Sequence, residues 1–417
     1  MDRYSGLLGI AVFVLVGVAL SSDRRRIRWR LVVSGLLLQL AIAAACLGDF
    51  LPGGGLVGVI DAIARGFTRV ISFADAGTEF IFGKLGDAGG SWGFIFAVKV
   101  MPVIIFFAAL MSVLYHLRVM QVVVAGVAWV LRRALGVTGA EAISAAANIF
   151  VGQTEAPLMV RPYIAGMTKS QLMAIMTGGF ATIAGSVMAA YVGLLGGETD
   201  EGRVLFAKHL LTASVMSAPA GLVMAKLMFP ESETPRDESL GSLLKAERTS
   251  ANVIDAAVVG AGDGLKLALN VAAMLVAFVA LIALIDWPLR QIGDGWSLSR
   301  ALGVVFRPAA WLMGVPWEES GKFGSLLGTQ VIATEFKAYL DLSKFIADGT
   351  MSGRACQIGT YALCGFANIP SIGIQIGGLS AMAPERRQDL VRLAPRAMLA
   401  GALACWTTGA IAGVFIG

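Results

Sequence analysis

Long apolar runs, each closed by a short cluster of charge, recur along the chain. A transmembrane helix needs about 20 mostly apolar residues. Residues 4–21 (YSGLLGIAVFVLVGVALS) and 31–48 (LVVSGLLLQLAIAAACLG) meet this requirement. Between them stand Arg24, Arg25, Arg26, Arg28 and Arg30. Further runs predict spans over 92–115, 171–197, 203–229, 253–285, 354–381 and 390–416, with Lys99 near enough to the end of its span to snorkel. A secretory signal carries its charge before the apolar run and a small-residue cleavage site after it. The order here is the reverse, so the first run is predicted to be a retained helix. Residues 51–90 place Asp61, Arg65, Arg69, Asp75 and Glu79 among apolar residues at amphipathic spacing, which predicts a segment lying in the interface. A second amphipathic piece, 119–134, ends in Arg132 and Arg133.

Two segments depart from this pattern. Residues 139–163 (GAEAISAAANIFVGQTEAPLMVRPY) and 314–341 (GVPWEESGKFGSLLGTQVIATEFKAYLD) are each two short apolar pieces around a polar centre. Neither piece is long enough to cross. Irregular backbone at membrane depth must line a cavity or be buried in protein, so each is predicted to be a helix–break–helix hairpin that enters and leaves on one side.

The two segments are related. Thr154-Glu155 is followed by Gly179-Phe180-Ala181-Thr182-Ile183, and Thr334-Glu335 by Gly365-Phe366-Ala367-Asn368-Ile369, with the Thr-Glu pairs 180 residues apart. Three predicted crossings lie between the copies, so the second copy is inverted in the bilayer. Paired interrupted segments in inverted halves point to the substrate site of a secondary transporter. The chain divides accordingly. Residues 1–134 hold N-terminal and scaffold helices, 135–229 a first repeat, 230–310 an inner loop, a long span and an interfacial piece, and 311–417 a second repeat. The predicted class is an all-α polytopic membrane protein with eight transmembrane helices, two re-entrant hairpins in inverted repeats, and interfacial helices.

Composition agrees. The 417 residues are 57% hydrophobic and only 15% charged, with a mean hydropathy of +0.75, against about 25% charged in soluble domains. That excludes a cytosolic enzyme, a disordered chain and a nucleic-acid module. The net charge of +5 gathers beside apolar spans, where positive-inside sorting explains it. Arg24–Arg30, Arg118/Arg132/Arg133, Arg161/Lys169, Arg236/Lys245/Arg248 and Arg386/Arg387/Arg392 then fall inside, Glu198, Asp200 and Glu201 outside, and both termini outside. Cys46, Cys356, Cys364 and Cys405 lack metal-type spacing and read as buried inert thiols. Neither His116 nor His209 sits in a polar cluster.

The chemistry gathers at the breaks. A carboxylate at membrane depth is costly, so Glu155 and Glu335 are functional candidates, with half-helix capping as the plainer alternative. Gln153, Thr154 and Glu155 together offer an amide, a hydroxyl and a carboxylate, suited to a neutral polar solute with donor and acceptor edges. Glu335, Asn368 and Ser371 supply acceptors and a hydroxyl, Phe366 a flat apolar face, and Pro370 is expected to bend or open the turn between Asn368 and Ser371. A ligand with a planar polar ring and a hydroxylated part matches this mixture. Asn148, Val151, Thr182 and Ile183 offer hard oxygens and freed carbonyls beside a break, which suits Na⁺. No metal-catalytic set and no Ser/His/Asp arrangement is found.

These residues resemble the concentrative nucleoside transporter family, particularly its bacterial sodium-coupled members. The matching stretches are Pro102–Tyr115 (PVIIFFAALMSVLY), Gly152–Pro157 (GQTEAP), Gly179–Val187 (GFATIAGSV), Leu211–Pro219 (LTASVMSAP), Gly264–Phe278 (GLKLALNVAAMLVAF), Thr334–Tyr339 (TEFKAY) and Ala362–Leu379 (ALCGFANIPSIGIQIGGL). They cover roughly residues 92–417, while the first two spans match loosely. The resemblance implies a homotrimer in the bacterial inner membrane that imports nucleosides, uridine-like with purine nucleosides as further candidates, by an elevator-like shift. It implies no enzymatic activity, no cofactor beyond sodium as coupling ion, and no nucleic-acid partner. It also implies that Gln153, Thr154, Glu155 and Val187 meet the nucleobase. Glu335, Asn368 and Ser371 would meet the ribose, with Phe366 packing nearby, and Asn148, Val151, Thr182 and Ile183 would hold sodium. Where many members carry Asn and Val in the second hairpin, this chain has Thr334 and Lys337. The same fold run on protons stays open at this point, because two buried glutamates can titrate. A channel would need a continuous polar stripe, whereas polarity here concentrates at two breaks.

Overall fold

The computed structural model describes residues 2–48, 55–86, 95–197, 199–236, 250–292 and 297–416. Glu198, Lys245, Arg248, the ends of the 51–90 segment, residues 92–94 and most of the polar stretch 230–250 lie outside the described residues. Among those described, nearly every element is a helix and none is a strand. Helices α1 (Asp2–Ala19) and α2 (Trp29–Leu47) are joined by a turn of 3₁₀ helix at Arg24–Arg26. The amphipathic segment is one helix, α3 (Gly55–Phe82).

The span at 92–115 is interrupted near its start, as a short α4 (Phe96–Lys99) and then α5 (Met101–His116). Pro102 in the first turn of α5 lacks an N–H where none is needed. Helix α6 (Val119–Leu135) ends at Gly136, whose φ of +66° is a left-handed cap that favours glycine.

From there the same series of elements occurs twice. The first runs α7 (Gly139–Asn148), a break, α8 (Arg161–Ile164), α9 (Lys169–Ala181), α10 (Gly185–Gly196) and α11 (Asp200–Met228). A long α12 (Val253–Ile292) and an amphipathic α13 (Leu298–Leu312) follow. The second series is α14 (Ser320–Ile332), a break, α15 (Glu335–Ala347), α16 (Gly353–Ala362), α17 (Ile369–Met382) and α18 (Arg387–Phe415).

Local chemistry sets these boundaries. Thr138 opens α7 with a capping box, its N–H and hydroxyl donating to the Glu141 carboxylate at 3.0 and 2.8 Å. Thr168 opens α9 the same way with Gln171. Thr334 caps α15, accepting from the Lys337 N–H at 3.2 Å, and the Lys337 ammonium pairs with Asp341. Thr334 and Lys337 therefore both serve the hairpin's own helix.

Two predicted spans are corrected. Residues 171–197 and 354–381 are not continuous helices. The first breaks at 182–184 and the second at 363–368. Pro370 is corrected too. It sits in the first turn of α17 just after the Asn368 cap, so it opens the helix without bending one.

Among the described residues, six helical segments are long and apolar enough to cross a membrane: 29–47, 96–116, 169–196, 200–228, 253–291 and 384–415, with shorter apolar helices at Tyr4–Ala19 and Ile369–Met382. The most apolar stretch of Lys169–Gly196 is wholly buried, whereas that of Val253–Gln291 is only 6% buried, so the broken span is central and α12 peripheral. Helix α12 lies close against α5 because Gly260 and Gly264 share one face. A Cβ at Gly260 would stand 2.7 Å from the Ala108 carbonyl oxygen, and one at Gly264 2.8 Å from the Ile105 Cα.

Candidate functional site

Four helix ends meet at the centre of the molecule. The Phe366 N–H donates to the Thr182 carbonyl at 3.3 Å, which joins the break after α9 to the break after α16. The Gly185 N–H donates to the Phe150 carbonyl at 3.0 Å, and the Ser214 hydroxyl to the Ile149 carbonyl at 2.8 Å. Gln330 on α14 donates through Nε2 to the carbonyls of Leu363 (3.2 Å) and Gly365 (3.0 Å). Backbone groups released by the breaks thus find partners from distant elements, as burial requires.

Glu335 lies at the first residue of α15 and is 5% exposed. Its Oε1 accepts from the Tyr191 hydroxyl at 3.0 Å and its Oε2 from Asn368 Nδ2 at 2.8 Å. Asn368 in turn caps α17 by accepting from the Ser371 N–H at 2.9 Å. Charged hydrogen bonds of this kind hold a carboxylate in one orientation, with lone pairs left for another donor. Tyr191 is itself fixed by stacking on Tyr339, with ring centroids 4.2 Å apart, and by Phe336.

On the first side, Gln153 Nε2 donates to the Ser371 hydroxyl at 3.3 Å, a contact between residues 218 apart in sequence, while its Oε1 has no partner. Thr154 packs on Gly378 of α17. Glu155 is exposed on this chain, and its carboxylate accepts from the Gly152 N–H, so it also closes its own loop. Val187 is buried in the first turn of α10 and Phe366 is half-buried beside the second break. The structure therefore brings Gln153 to Ser371 and Glu335 to Asn368, and leaves Glu155 on its own loop.

Asn148 ends α7 and is 1% exposed, yet neither atom of its amide has a hydrogen-bond partner. Its Nδ2 would lie 3.2 Å from a Cβ on Gly178, and the Thr182 hydroxyl donates to the Gly178 carbonyl at 3.0 Å, so both side chains stand against the last turn of α9. Val151 is half-buried at the break after α7 and Ile183 fully buried at the break after α9. An unpartnered buried polar group costs about 1–3 kcal/mol, and an oxygen-binding cation would satisfy the amide oxygen. Hard oxygens with no thiol or imidazole among them fit Na⁺ in type.

Three residues of this region escaped the sequence reading. Tyr191 sits in an apolar run with nothing local to mark it, and Gln330 lies in the first arm of a hairpin. Gln375, 1% exposed on α17, donates to the Met176 carbonyl at 3.0 Å and leaves its Oε1 unpartnered. A polar side chain in an apolar run was the available signal for the two glutamines. Elsewhere, all four cysteines are free and buried, and His209 bonds the Tyr361 hydroxyl at 2.9 Å.

Comparison with known proteins gives the family. Residues 8–85 match the family model described as Na⁺ dependent nucleoside transporter N-terminus, 97–198 the one described as nucleoside recognition, and 209–413 Na⁺ dependent nucleoside transporter C-terminus. An uncharacterized transporter of Haemophilus influenzae is 46% identical, covering 100% of this chain and 99% of its own. The nucleoside permease NupC of Helicobacter pylori is 39% identical over 99% of this chain and 97% of its own. The solved structure of CNTnw in an inward-facing substrate-bound state superposes with a TM-score of 0.91 at 42% identity, covering 100% of this chain and 98% of that one. A variant of CNTnw in an outward-facing state reaches 0.90 at 41%, with the same coverage. These relatives are transporters and not enzymes, and this chain belongs to the concentrative, Na⁺ dependent nucleoside transporter family.

Proposed function

We propose that this chain imports nucleosides by symport with sodium across the bacterial inner membrane. The observation that carries this reading is the meeting of the two broken segments, where Gln153 reaches Ser371 and the Glu335–Asn368 pair stands beside it. Gln153, Thr154, Glu155 and Val187 take the nucleobase. Glu335, Asn368 and Ser371 take the ribose, with Phe366 packing against the substrate. Asn148 and Thr182 bind sodium through side-chain oxygens, and Val151 and Ile183 through backbone oxygens. Sodium at the end of α7 holds the adjacent break in the shape that presents Gln153 to the substrate. Each ligand then raises the other's affinity by the same factor.

The topology in this reading is eight spans and two re-entrant hairpins, with both termini outside. Tyr4–Ala19 and the broken 353–382 segment make up the number beyond the six long helices. The similarity to CNTnw in both inward- and outward-facing states supports alternating access, and the breaks in both repeats suit an elevator-like shift of one body past another. The apolar face of α12, with Ile254, Val276, Leu284 and Trp287 exposed, supports a homotrimer built on that helix.

Radiolabelled uridine uptake into liposomes carrying the purified protein tests the function. An inward sodium gradient is expected to drive uptake, and choline in its place to abolish it. Uptake driven by an acidic exterior without sodium would move coupling to protons. No uptake of uridine, adenosine or cytidine under either gradient would overturn the substrate.

A further inference from the structure

A cleft stands away from the two breaks. It has a volume of about 580 Å³ and lies between the start of α2 and the end of α6, lined by Arg28, Arg30, Trp129, Arg132, Arg133 and the apolar Leu31 and Leu135. No acidic residue lines it among the described residues. The arginines next to it in sequence are already engaged. Arg24 donates to the carbonyls of Val18 and Ala19, and Arg26 pairs with Asp23 at 3.2 Å and donates to the Ser232 carbonyl. Arg28, Arg30 and Arg133 are different. They are exposed, and their side chains make no hydrogen bond or ion pair with a described residue.

The guanidinium groups of Arg28, Arg30 and Arg133, gathered in one cleft with no carboxylate among its described lining, form a site for a multiply charged anion, since their mutual repulsion falls when an anion enters. The positive N-terminal end of α2 adds to the same field. The adjoining smaller cleft, which Arg28 also lines, holds Glu141 and Glu231; Lys226 pairs with both, at 2.5 and 3.4 Å, so one net negative charge is left there against the arginines of the larger cleft.

The surroundings select the kind of anion. Trp29 is 53% and Trp129 61% exposed at the cleft's edge, as tryptophans are at the membrane–water boundary. Val33 and Leu37 along α2, and Val122 and Val130 along α6, carry exposed apolar surface away from it. A soluble phosphate would have no use for this surface, whereas acyl chains would cover it. We propose that this cleft binds the headgroup of an anionic phospholipid in the leaflet that faces the Arg-rich helix ends. The two helices it joins matter, because α6 leads through Gly136 directly into the Thr138 cap of α7, the first arm of the first broken segment. The lipid thereby braces α2 against the helix that feeds the site. The inference holds whatever solute the protein carries.

The test is native mass spectrometry of the full-length protein in detergent after incubation with equal phosphatidylglycerol and phosphatidylcholine. The unmodified chain is expected to retain phosphatidylglycerol selectively. Arg28→Gln with Arg133→Gln is expected to lower that retention about fivefold per arginine, the weight of one basic group near a charged leaflet. Arg28→Lys with Arg133→Lys is expected to keep most of it. Arg392→Gln, which removes an exposed charge on α18, is expected to change nothing. Equal retention of the two lipids by the unmodified chain would overturn the proposal even if the double glutamine variant failed to fold. So would a loss with Arg392→Gln as large as that of a single cleft arginine.

Discussion

The Tyr191 hydroxyl donates to Glu335 Oε1 at 3.0 Å, which ties the second half of the first broken span to the second broken hairpin. With Asn368 on the other carboxylate oxygen, Glu335 is held from two sides and keeps one orientation without help from water. Tyr191→Phe removes the donor but keeps the ring stacked on Tyr339. One hydrogen bond to a charged group is worth about 1.5–3 kcal/mol. Uptake assays are therefore expected to show the half-saturation concentration for uridine raised about tenfold or more, with normal expression and folding. Unchanged kinetics would show that Tyr191 has no part in orienting the carboxylate.

Glu335→Ala is expected to abolish transport. The variant removes the acceptor proposed for the ribose and leaves the Tyr191 hydroxyl and the Asn368 amide buried without a partner, at about 1–3 kcal/mol each. Thermal unfolding in detergent is expected to shift down as well. Near-normal uptake would remove Glu335 from the site.

For Asn148→Ala the expectation separates folding from coupling. The Asn148 amide has no protein partner, so unfolding temperature in choline is expected to stay the same. In sodium, the unmodified protein gains stability because the ion binds only the folded state. That gain is expected to vanish in the variant, together with a rise in the half-saturation for sodium. An undiminished sodium-dependent shift would refute the ion site.

Lys226→Met tests the buried charge network on the other side of α7. Lys226 meets Glu141 and Glu231, with all three side chains 10% exposed or less. Removing the single cation leaves two buried carboxylates unpaired, and breaking such a pair costs about 3–5 kcal/mol. A fall in unfolding temperature of several degrees is expected. A variant as stable as the unmodified chain would mean that the carboxylates are protonated or solvated.

Much of the protein was legible along the chain because the constraints involved are local. Hydrocarbon thickness dictates the length of an apolar run, helix ends need caps such as Thr138, Thr168 and Thr334, and a carboxylate in an apolar stretch announces itself as Glu335 did. Those rules found the helical membrane class, the two broken segments and every residue now proposed for the site except Val187, which came from the family resemblance. What they could not find was how the breaks are satisfied. Residues 171–197 and 354–381 read as continuous spans, since hydropathy does not distinguish a straight helix from one that opens for three to six residues. Opening such a helix frees backbone groups that must find partners. Those partners are Phe366 for Thr182, Gly185 for Phe150, and Gln330 for Leu363 and Gly365, all from other elements. Tyr191 and Glu335 are likewise 144 residues apart. The sequence by itself determined where polar groups enter the membrane. Only the tertiary structure decided which of them meet, because hydrogen bonds between distant segments depend on how the two repeats pack and leave no periodic trace along the chain.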